Sequence, residues 1–319
     1  MSKGAVAAIG AGAISQARVK AMRRSQAGEV ARKKASLVGA ASPSGLLERT
    51  LRVLELLSDN AHGLLLFEIA DQLRIPRSAT HRVLTSLLEH GYVRQERHQG
   101  AYQLTAKIAS LAFTFLTGSG ITDFAQPILD KLARECGELV RLAMIDGKAL
   151  VWVAKAQGSP HGLRYDPDMG QIGRLSCSAS GHAWLACLPD EEALALVEKQ
   201  GFGLRSEYGP RAPETKGTLL KYLRETRRRG FSVCVQTYSP WMNSFAAAIR
   251  HPNTKEVTGA VVIAGPNIRL TEARMLELSP LLVAAAQELS LATVASPGLY
   301  GPKARTQVSI FDEPRDLRV

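Results

Sequence analysis

The chain has 319 residues, enough for two ordinary domains, and a net charge of +11. Hydrophobic residues make up 45% and charged residues 22% of the sequence, as in an ordinary folded soluble protein. No uninterrupted apolar run reaches the ~18 residues that cross a bilayer. The four cysteines are widely spaced and form no C-x-x-C pair, which argues against a zinc site or a disulfide framework. We therefore expect a cytoplasmic protein without a metal, a cofactor or a membrane association.

The positive charge is concentrated at the N-terminus, because residues 1–43 carry a net charge of +7. This segment has no aromatic residue and no periodic apolar face, so we predict a disordered tail. Two interpretations stay open for it: a solvated extension, or an arm that binds nucleic-acid phosphates without reading sequence. A second disordered tail is predicted for residues 296–319, which are rich in glycine, proline and charge.

Residues 44–104 have the pattern of a small helical domain that ends in a hairpin. Apolar residues at helical spacing predict a helix in LLERTLRVLELLSDN (46–60) and a shorter one in LFEIADQLRI (66–75). Pro76 breaks the second helix, and a third helix runs from there to Gly91. YVRQERHQGAYQL (92–104) then predicts two short strands around a turn. This order is that of a winged helix-turn-helix.

The start of the third helix carries side chains that can bind DNA, because this end of the recognition helix points at base edges in the major groove. The candidates there are Arg77, Ser78, Ala79, His81 and Arg82. Arginine can bridge guanine with two hydrogen bonds, and serine or histidine can bond a base or a phosphate. Arg94 and Arg97 flank the wing and are candidates for phosphate or minor-groove contacts.

The rest of the chain predicts a linker helix over residues 105–120 and an α/β domain over residues 121–295. Strands are predicted at 139–146, 149–157, 162–167, 231–239, 244–252 and 257–266. Helices are predicted at about 179–188, 190–200, 215–229 and 271–290, the last with a kink at Pro280.

Several stretches resemble the IclR family of regulators. LERTLRVLELL, LLLFEIADQLRIPRSATHRVLTSLLEHGYVRQE and GAYQLT resemble its DNA-binding half, while LSCSASGHAWLACLP, RRRGFSVC and GAVVIAGPNIRLTEARMLELSPLLVAAAQEL resemble its C-terminal half. The resemblance covers about residues 46–293. It implies an α+β fold, in which a winged helix-turn-helix is joined by a helix to a GAF/profilin-like α/β effector domain. It also implies a homodimer or homotetramer that binds a double-stranded DNA operator and activates or represses transcription.

The resemblance further implies that a small-molecule effector lies over the sheet of the C-terminal domain, near the loop that enters a helix. The matching loop residues are Ser178, Ala179, Ser180 and Gly181, and the matching strand residues are Cys234, Ser244, Val262 and Ala264. Family members that bind small oxo-acids carry Asp, Cys and two Ser at those strand positions. The replacements predict a larger, more apolar effector, which we expect to be an aromatic or other hydrophobic carboxylic acid. Its carboxylate would lie at the helix N-terminus.

Two other functions are compatible with parts of the sequence. A hydrolase could pair Ser178, Ser180 or Cys177 with His182, but no G-x-S-x-G motif surrounds these serines, so we predict no enzyme activity. The second alternative stays open: a DNA-binding protein whose C-terminal domain only oligomerises, without a ligand. Association is also indicated by apolar residues in excess of what a small domain can bury, namely Leu46, Leu47, Leu51, Leu111, Phe113 and Phe115.

Overall fold

The structure is a computed structural model that describes residues 45–96, 100–118, 120–167, 170 and 172–295. Both predicted tails and Arg97 lie outside these residues. The chain divides into two compact units, with the boundary between Thr114 and Phe115.

In the described residues, unit 1 begins with helices and ends with a hairpin: α1 (Leu46–Ser58), α2 (Leu66–Leu73), α3 (Arg77–Glu89), β1 (Val93–Gln95) and β2 (Tyr102–Leu104). The apolar stripes of the helices pack into one core, in which Val53, Ile69 and Leu84 are fully buried. The strands pair antiparallel, with Arg94 opposite Gln103. This arrangement confirms the predicted winged helix-turn-helix.

The turn between α2 and α3 is short because Arg74 adopts a left-handed backbone conformation, with φ of 54°. Its N–H bonds to carbonyl oxygens at the end of α2, at Ala70 and Asp71. Pro76 follows and its carbonyl oxygen accepts the N–H groups of Ala79 and Thr80, which starts α3. Only residues 74–76 therefore separate the two helices, and backbone hydrogen bonds fix the end of α2 and the start of α3.

Helix α4 (Ala106–Gly118) matches most of the predicted linker helix and contains the boundary between the units. Unit 2 continues with a π-helical turn (Ile121–Ala125) and α5 (Gln126–Cys136). Its remaining elements are β3 (Leu139–Asp146), β4 (Ala149–Gln157), α6 (Ala179–Leu185), α7 (Asp190–Gln200), a 3₁₀ turn (Arg205–Glu207), α8 (Lys216–Arg229), β5 (Ser232–Val235), β6 (Met242–Arg250), β7 (Val257–Pro266) and α9 (Glu272–Ala295).

The strands of unit 2 form a five-stranded antiparallel sheet in the described residues, in the order β4-β3-β7-β6-β5. One face packs against α5 and α9, with Leu142, Phe245 and Ile263 in the core between them; we call it the α9 face. The other packs against α6, α7 and α8, with Cys234 and Val262 in its core; we call it the α6 face. An α/β layer covered on both sides agrees with the predicted fold class.

Two of the predicted strands differ from the structure. Residues 162–167 form a loop, because their polar contacts go to neighbouring segments: the Gln157 side chain donates to Tyr165 O, and Lys155 pairs with Asp166. The strand predicted at 231–239 ends at Val235, since Gln236 has φ of 51° and leaves the extended conformation. The other predicted helices and strands of unit 2 are present: β3, β4, α7 and β7 have the predicted ends, and the remaining elements have ends shifted by a few residues.

Helix α9 is long and apolar enough to cross a membrane by length and composition, with a mean hydropathy of 1.2 over Glu272–Thr293. Part of its apolar surface is buried inside unit 2, although Leu276 and Leu291 are exposed. Met275, Leu278, Leu282 and Leu289 are buried in the core on the α9 face. This placement is typical of the core helix of a folded domain.

Candidate DNA-binding surface and effector site

Four of the predicted DNA-binding residues share one solvent-exposed side of α3. Arg77, Ser78, His81 and Arg82 are exposed, and the opposite side of the helix is buried in the core of unit 1. Among the residues that the structure describes, neither arginine takes part in an ion pair. The two guanidinium groups are therefore available for the double hydrogen bonds that recognise guanine.

Ala79, the fifth residue predicted to contact DNA at the start of α3, is buried instead. Its side chain is 6% exposed and belongs to the hydrophobic core, so it does not share the exposed side of α3. The next residue, Thr80, is also buried, and its hydroxyl donates to Pro76 O within the helix. The first turn of α3 is thus anchored by Ala79 and Thr80 and presents its neighbours outward.

Arg94 lies at the base of the wing and is held across the hairpin. Its Nε and one terminal N–H donate to Oε1 of Gln103, at 3.2 and 2.9 Å. The amide of Gln103 in turn donates to His62 O and Glu96 Oε1. Arg94 is exposed, so its remaining N–H groups can still reach a phosphate.

In unit 2, the four predicted loop residues form the buried start of α6. Ser178 is the N-cap residue, and its hydroxyl accepts the N–H of Gly181 at 3.1 Å. Gly181 has a packing role, since a Cβ there would collide with the carbonyl oxygen of Leu175. Ser180 is fully buried and its hydroxyl lies 3.4 Å from that of Ser178.

The four predicted strand residues come together on the α6 face. Cys234 lies opposite Ser244, and Ser244 lies opposite Ala264 on the next strand. Val262 occupies the adjacent row and belongs to the core under α6, as Cys234 does. All four are at most 5% exposed. The structure therefore places the predicted strand residues side by side, in closely packed surroundings.

A histidine–cysteine contact, which the sequence analysis did not find, connects α6 to this group. His182 Nε2 lies 2.7 Å from Ser176 O, a pure acceptor, so Nε2 carries the proton. His182 Nδ1 then accepts from the thiol of Cys234, at 3.3 Å. Both residues had been singled out separately, and only the fold brings them together.

Burial keeps this pair neutral. Desolvation lowers the pKa of His182 to about 4 and raises the pKa of the Cys234 thiol to about 12. A thiol with such a pKa is a poor nucleophile at neutral pH, because the thiolate is the reactive form. The pair is therefore a structural hydrogen bond, and its acid–base properties do not support a hydrolase.

The depressed pKa of His182 predicts acid-labile folding. Its pKa falls from an ordinary 6.5 to about 4 in the folded chain, so the unfolded chain binds the extra proton first. The stability that neutral His182 allows is therefore present above pH 6.5, and the free energy of unfolding decreases as the pH falls from 6.5 toward 4. We expect a loss of about 2 kcal/mol between pH 7 and pH 5 from this residue.

Urea unfolding of the wild type and of His182→Gln at both pH values measures this contribution. The wild type is expected to lose about 2 kcal/mol more than the variant on acidification. His161→Gln, at an exposed position, is the matched control and should follow the wild type. Equal pH dependence in the wild type and His182→Gln would contradict the prediction.

A cavity of about 240 Å³ lies elsewhere in unit 2, between α8, β5 and the start of α9. None of the eight predicted effector residues lines it. Its walls carry charges of both signs, and Glu225 there pairs with Arg228 and Arg229. Such an open, charged groove is typical of a solvated surface, so the α6 face remains the candidate effector site.

Two family models match the chain: the IclR helix-turn-helix domain over residues 46–97 and the bacterial transcriptional regulator IclR C-terminal domain over residues 113–291. The transcriptional repressor IclR of Escherichia coli (strain K12) is 29% identical over 248 residues, which cover 77% of this chain and 89% of that protein.

Solved structures agree with these matches. A transcriptional regulator from Rhodococcus sp. RHA1 is 26% identical with a TM-score of 0.66, and the match covers 78% of this chain and 98% of that one. An IclR homolog from Microbacterium hydrocarbonoxydans, complexed with 4-hydroxybenzoate, is 19% identical with a TM-score of 0.64, and the match covers 79% of this chain and 100% of that one.

The similar proteins regulate transcription, which confirms the expectation of a regulator rather than an enzyme. The C-terminal model alone matches more than half of the chain, and the N-terminal model matches the three helices and the start of the wing. The chain therefore belongs to the IclR family of DNA-binding transcriptional regulators.

Proposed function

We propose that the protein recognises its operator through α3, with Arg77, Ser78, His81 and Arg82 in the major groove. The observation that carries this proposal is the shared exposed side of these residues on a helix whose other side is fixed in the core. Arg94 in the wing binds the DNA backbone or the minor groove, and we propose the same role for Arg97 from its position in the sequence. Because the partner is chromosomal DNA of a bacterial regulator, we propose a cytoplasmic location.

Operator binding is controlled by a hydrophobic carboxylic acid, which we propose to be aromatic, at the α6 face of unit 2. The support is the chemistry of the strand residues: Val262 and Ala264 offer no side-chain hydrogen bond to a small polar ligand. The complex of the Microbacterium hydrocarbonoxydans homolog with 4-hydroxybenzoate supports the same ligand class for this fold.

A thermal-shift screen of the full chain tests the effector class. Benzoate, 4-hydroxybenzoate and phenylacetate are compared with glyoxylate and pyruvate. An aromatic acid at about 100 times its Kd is expected to raise Tm by roughly 5–10 °C. The short oxo-acids should leave Tm unchanged. Stabilisation by the oxo-acids alone would contradict the proposal.

A second function is favoured by the burial of Cys234, Ser244, Val262 and Ala264, which are packed under the helices of the α6 face. In this alternative, unit 2 serves only to oligomerise a DNA-binding protein and takes no ligand. Absence of stabilisation by any acid in the screen, together with intact operator binding, would favour it.

We also propose a homodimer or homotetramer, because large apolar side chains are exposed on α1 and α4. Leu47 is 72% exposed on α1, and Phe113 is 64% exposed on α4. Leu46, Leu51, Leu111 and Phe115 extend the same two apolar surfaces. Two-fold symmetry would also double the DNA contact that one winged module provides.

Light scattering at micromolar concentration is expected to give the mass of a dimer or a tetramer. Leu47→Glu and Phe113→Glu should shift the mass toward the monomer, because a charge cannot be buried unpaired in an apolar interface. Lys148→Glu, at an exposed site in unit 2, is the control. A monomeric wild type would contradict the proposal.

A further inference from the structure

The groove between α8, β5 and the start of α9 presents charged side chains to solvent. Its volume is about 240 Å³, and its charged lining residues are Arg211, Lys221, Glu225, Arg229 and Glu272. Two of these, Glu225 and Arg229, pair with each other. Among the residues that the structure describes, Arg211, Lys221 and Glu272 take part in no ion pair. The groove therefore offers two positive charges and one negative charge to a ligand.

Contacts of the backbone and of an aromatic ring hold the positive side of the groove in place. The N–H of Arg211 donates to Gln236 O at 3.3 Å, and its carbonyl oxygen accepts the Tyr222 hydroxyl at 3.1 Å. The Tyr222 ring packs on the buried His182, with the ring centres 5.1 Å apart. Lys221 directly precedes Tyr222 on α8. Arg211 and Lys221 therefore extend their exposed side chains from a fixed backbone.

The negative charge of the groove lies at the start of α9. Glu272 is in the first turn of this helix, whose position is fixed by the fully buried Leu270 and Met275. Burial is the main cause of the raised pKa of Tyr222, and the charges of Arg211 and Glu272 also act on this pKa with opposite signs. Both charged groups therefore lie close enough to the Tyr222 hydroxyl to interact with it.

Apolar side chains complete the lining of the groove. Val233 and Val235 lie two residues apart on β5, so they share one face of the strand. They can cover the carbon chain of a ligand, but their side chains form no hydrogen bonds. A hydrophobic acid with a single charge would leave Glu272 and one of the two cations unmatched. The groove therefore suits a different class of ligand from the α6 face.

A ligand that matches all three charges has two carboxylates and one ammonium group on a short carbon chain. Guanidinium and ammonium groups each bind a carboxylate, and a carboxylate binds an ammonium group. We propose that the groove is a second ligand site of unit 2 and that it binds an acidic amino acid. Arg211 and Lys221 bind the two carboxylates, and Glu272 binds the amino group. This assignment does not depend on the effector proposed for the α6 face.

Isothermal titration of the full chain with L-glutamate tests the proposal, at low ionic strength because salt screens exposed charges. Saturable binding is expected. Glutarate lacks the amino group and γ-aminobutyrate lacks one carboxylate, so each should bind about threefold more weakly than L-glutamate. Inorganic phosphate tests for a site that takes any anion, and it should also bind more weakly than L-glutamate.

Three variants test the role of each charge. Arg211→Met and Lys221→Met should each weaken L-glutamate about threefold. Glu272→Gln should weaken L-glutamate to the same extent without weakening glutarate, because glutarate has no amino group. Arg224→Met is the matched control, since it removes an exposed arginine of α8 that does not line the groove. All four positions are exposed, and circular dichroism establishes that each variant is folded.

Three outcomes would overturn the proposal. If L-glutamate shows no saturable binding, the groove is only a solvated surface. If Arg211→Met and Lys221→Met bind L-glutamate as tightly as the wild type does, the ligand lies elsewhere on the protein. If L-glutamate, glutarate and phosphate bind with equal affinity, the groove takes anions in general and an acidic amino acid is not its ligand.

Discussion

Replacing both Arg77 and Arg82 with alanine is expected to lower operator affinity by at least about thirtyfold, since the two losses sum to about 2–6 kcal/mol. Each guanidinium that bonds a base contributes about 1–3 kcal/mol of discrimination. Both lie on the exposed side of α3, so their removal leaves the core of unit 1 intact. Fluorescence anisotropy with the DNA upstream of the gene, at one fixed salt concentration, measures the loss.

A second double variant separates base recognition from the loss of charge. Arg224→Ala/Arg228→Ala removes the same two charges from exposed positions on α8. It should keep operator affinity close to that of the wild type. Binding to random DNA should fall less than operator binding in the Arg77→Ala/Arg82→Ala variant. If operator and random DNA lose affinity equally, α3 contributes charge and no sequence recognition.

Replacing Arg269 with methionine is expected to destabilise unit 2 by about 3 kcal/mol. Glu138 is 4% exposed, and Arg269 bonds both of its carboxylate oxygens, with NH2 to Oε2 at 2.7 Å. The carboxylate cannot move away easily, because it packs directly against Gly265. Without Arg269 a buried charge is left uncompensated, which urea unfolding at pH 7 would register as a lower free energy of unfolding.

Two further variants test the cause of this loss. Glu138→Gln/Arg269→Met removes both charges and should recover much of the lost stability, since no unpaired charge stays buried. Arg274→Met breaks the exposed pair with Glu277 and should cost less than about 1 kcal/mol. A similar loss in Arg269→Met and the double variant would show that packing, and not charge, is responsible.

Helices and strands of this fold could be predicted where the local apolar pattern of the sequence determines both of their ends. The helix over 190–200 and the strand over 257–266 have the predicted ends, because their apolar patterns are bounded by proline or glycine. The strand predicted through 239 failed at Gln236, where contacts between distant segments fix the backbone. One of these contacts joins the Thr237 hydroxyl to Cys177 O.

The candidate sites also combine features that the local sequence predicts with features that only contacts between distant segments determine. Exposure on α3 follows from helical spacing, which identified Arg77 and Arg82, although it did not reveal that Ala79 is buried. The pairing of His182 with Cys234 depends on how α6 crosses β5, which the local sequence does not encode.

Aggregation of β-sheet proteins usually begins at an edge strand that exposes a long row of unpaired backbone groups. β5 lies at one border of the sheet but has only four residues before Gln236 turns the chain away. Along the other border, the backbone N–H groups of Gly170 and Gly173 donate to carbonyl oxygens of β4. In the part of the chain that the structure describes, neither border offers a long template for strand addition, so concentrated solutions of the protein should resist conversion into intermolecular sheets.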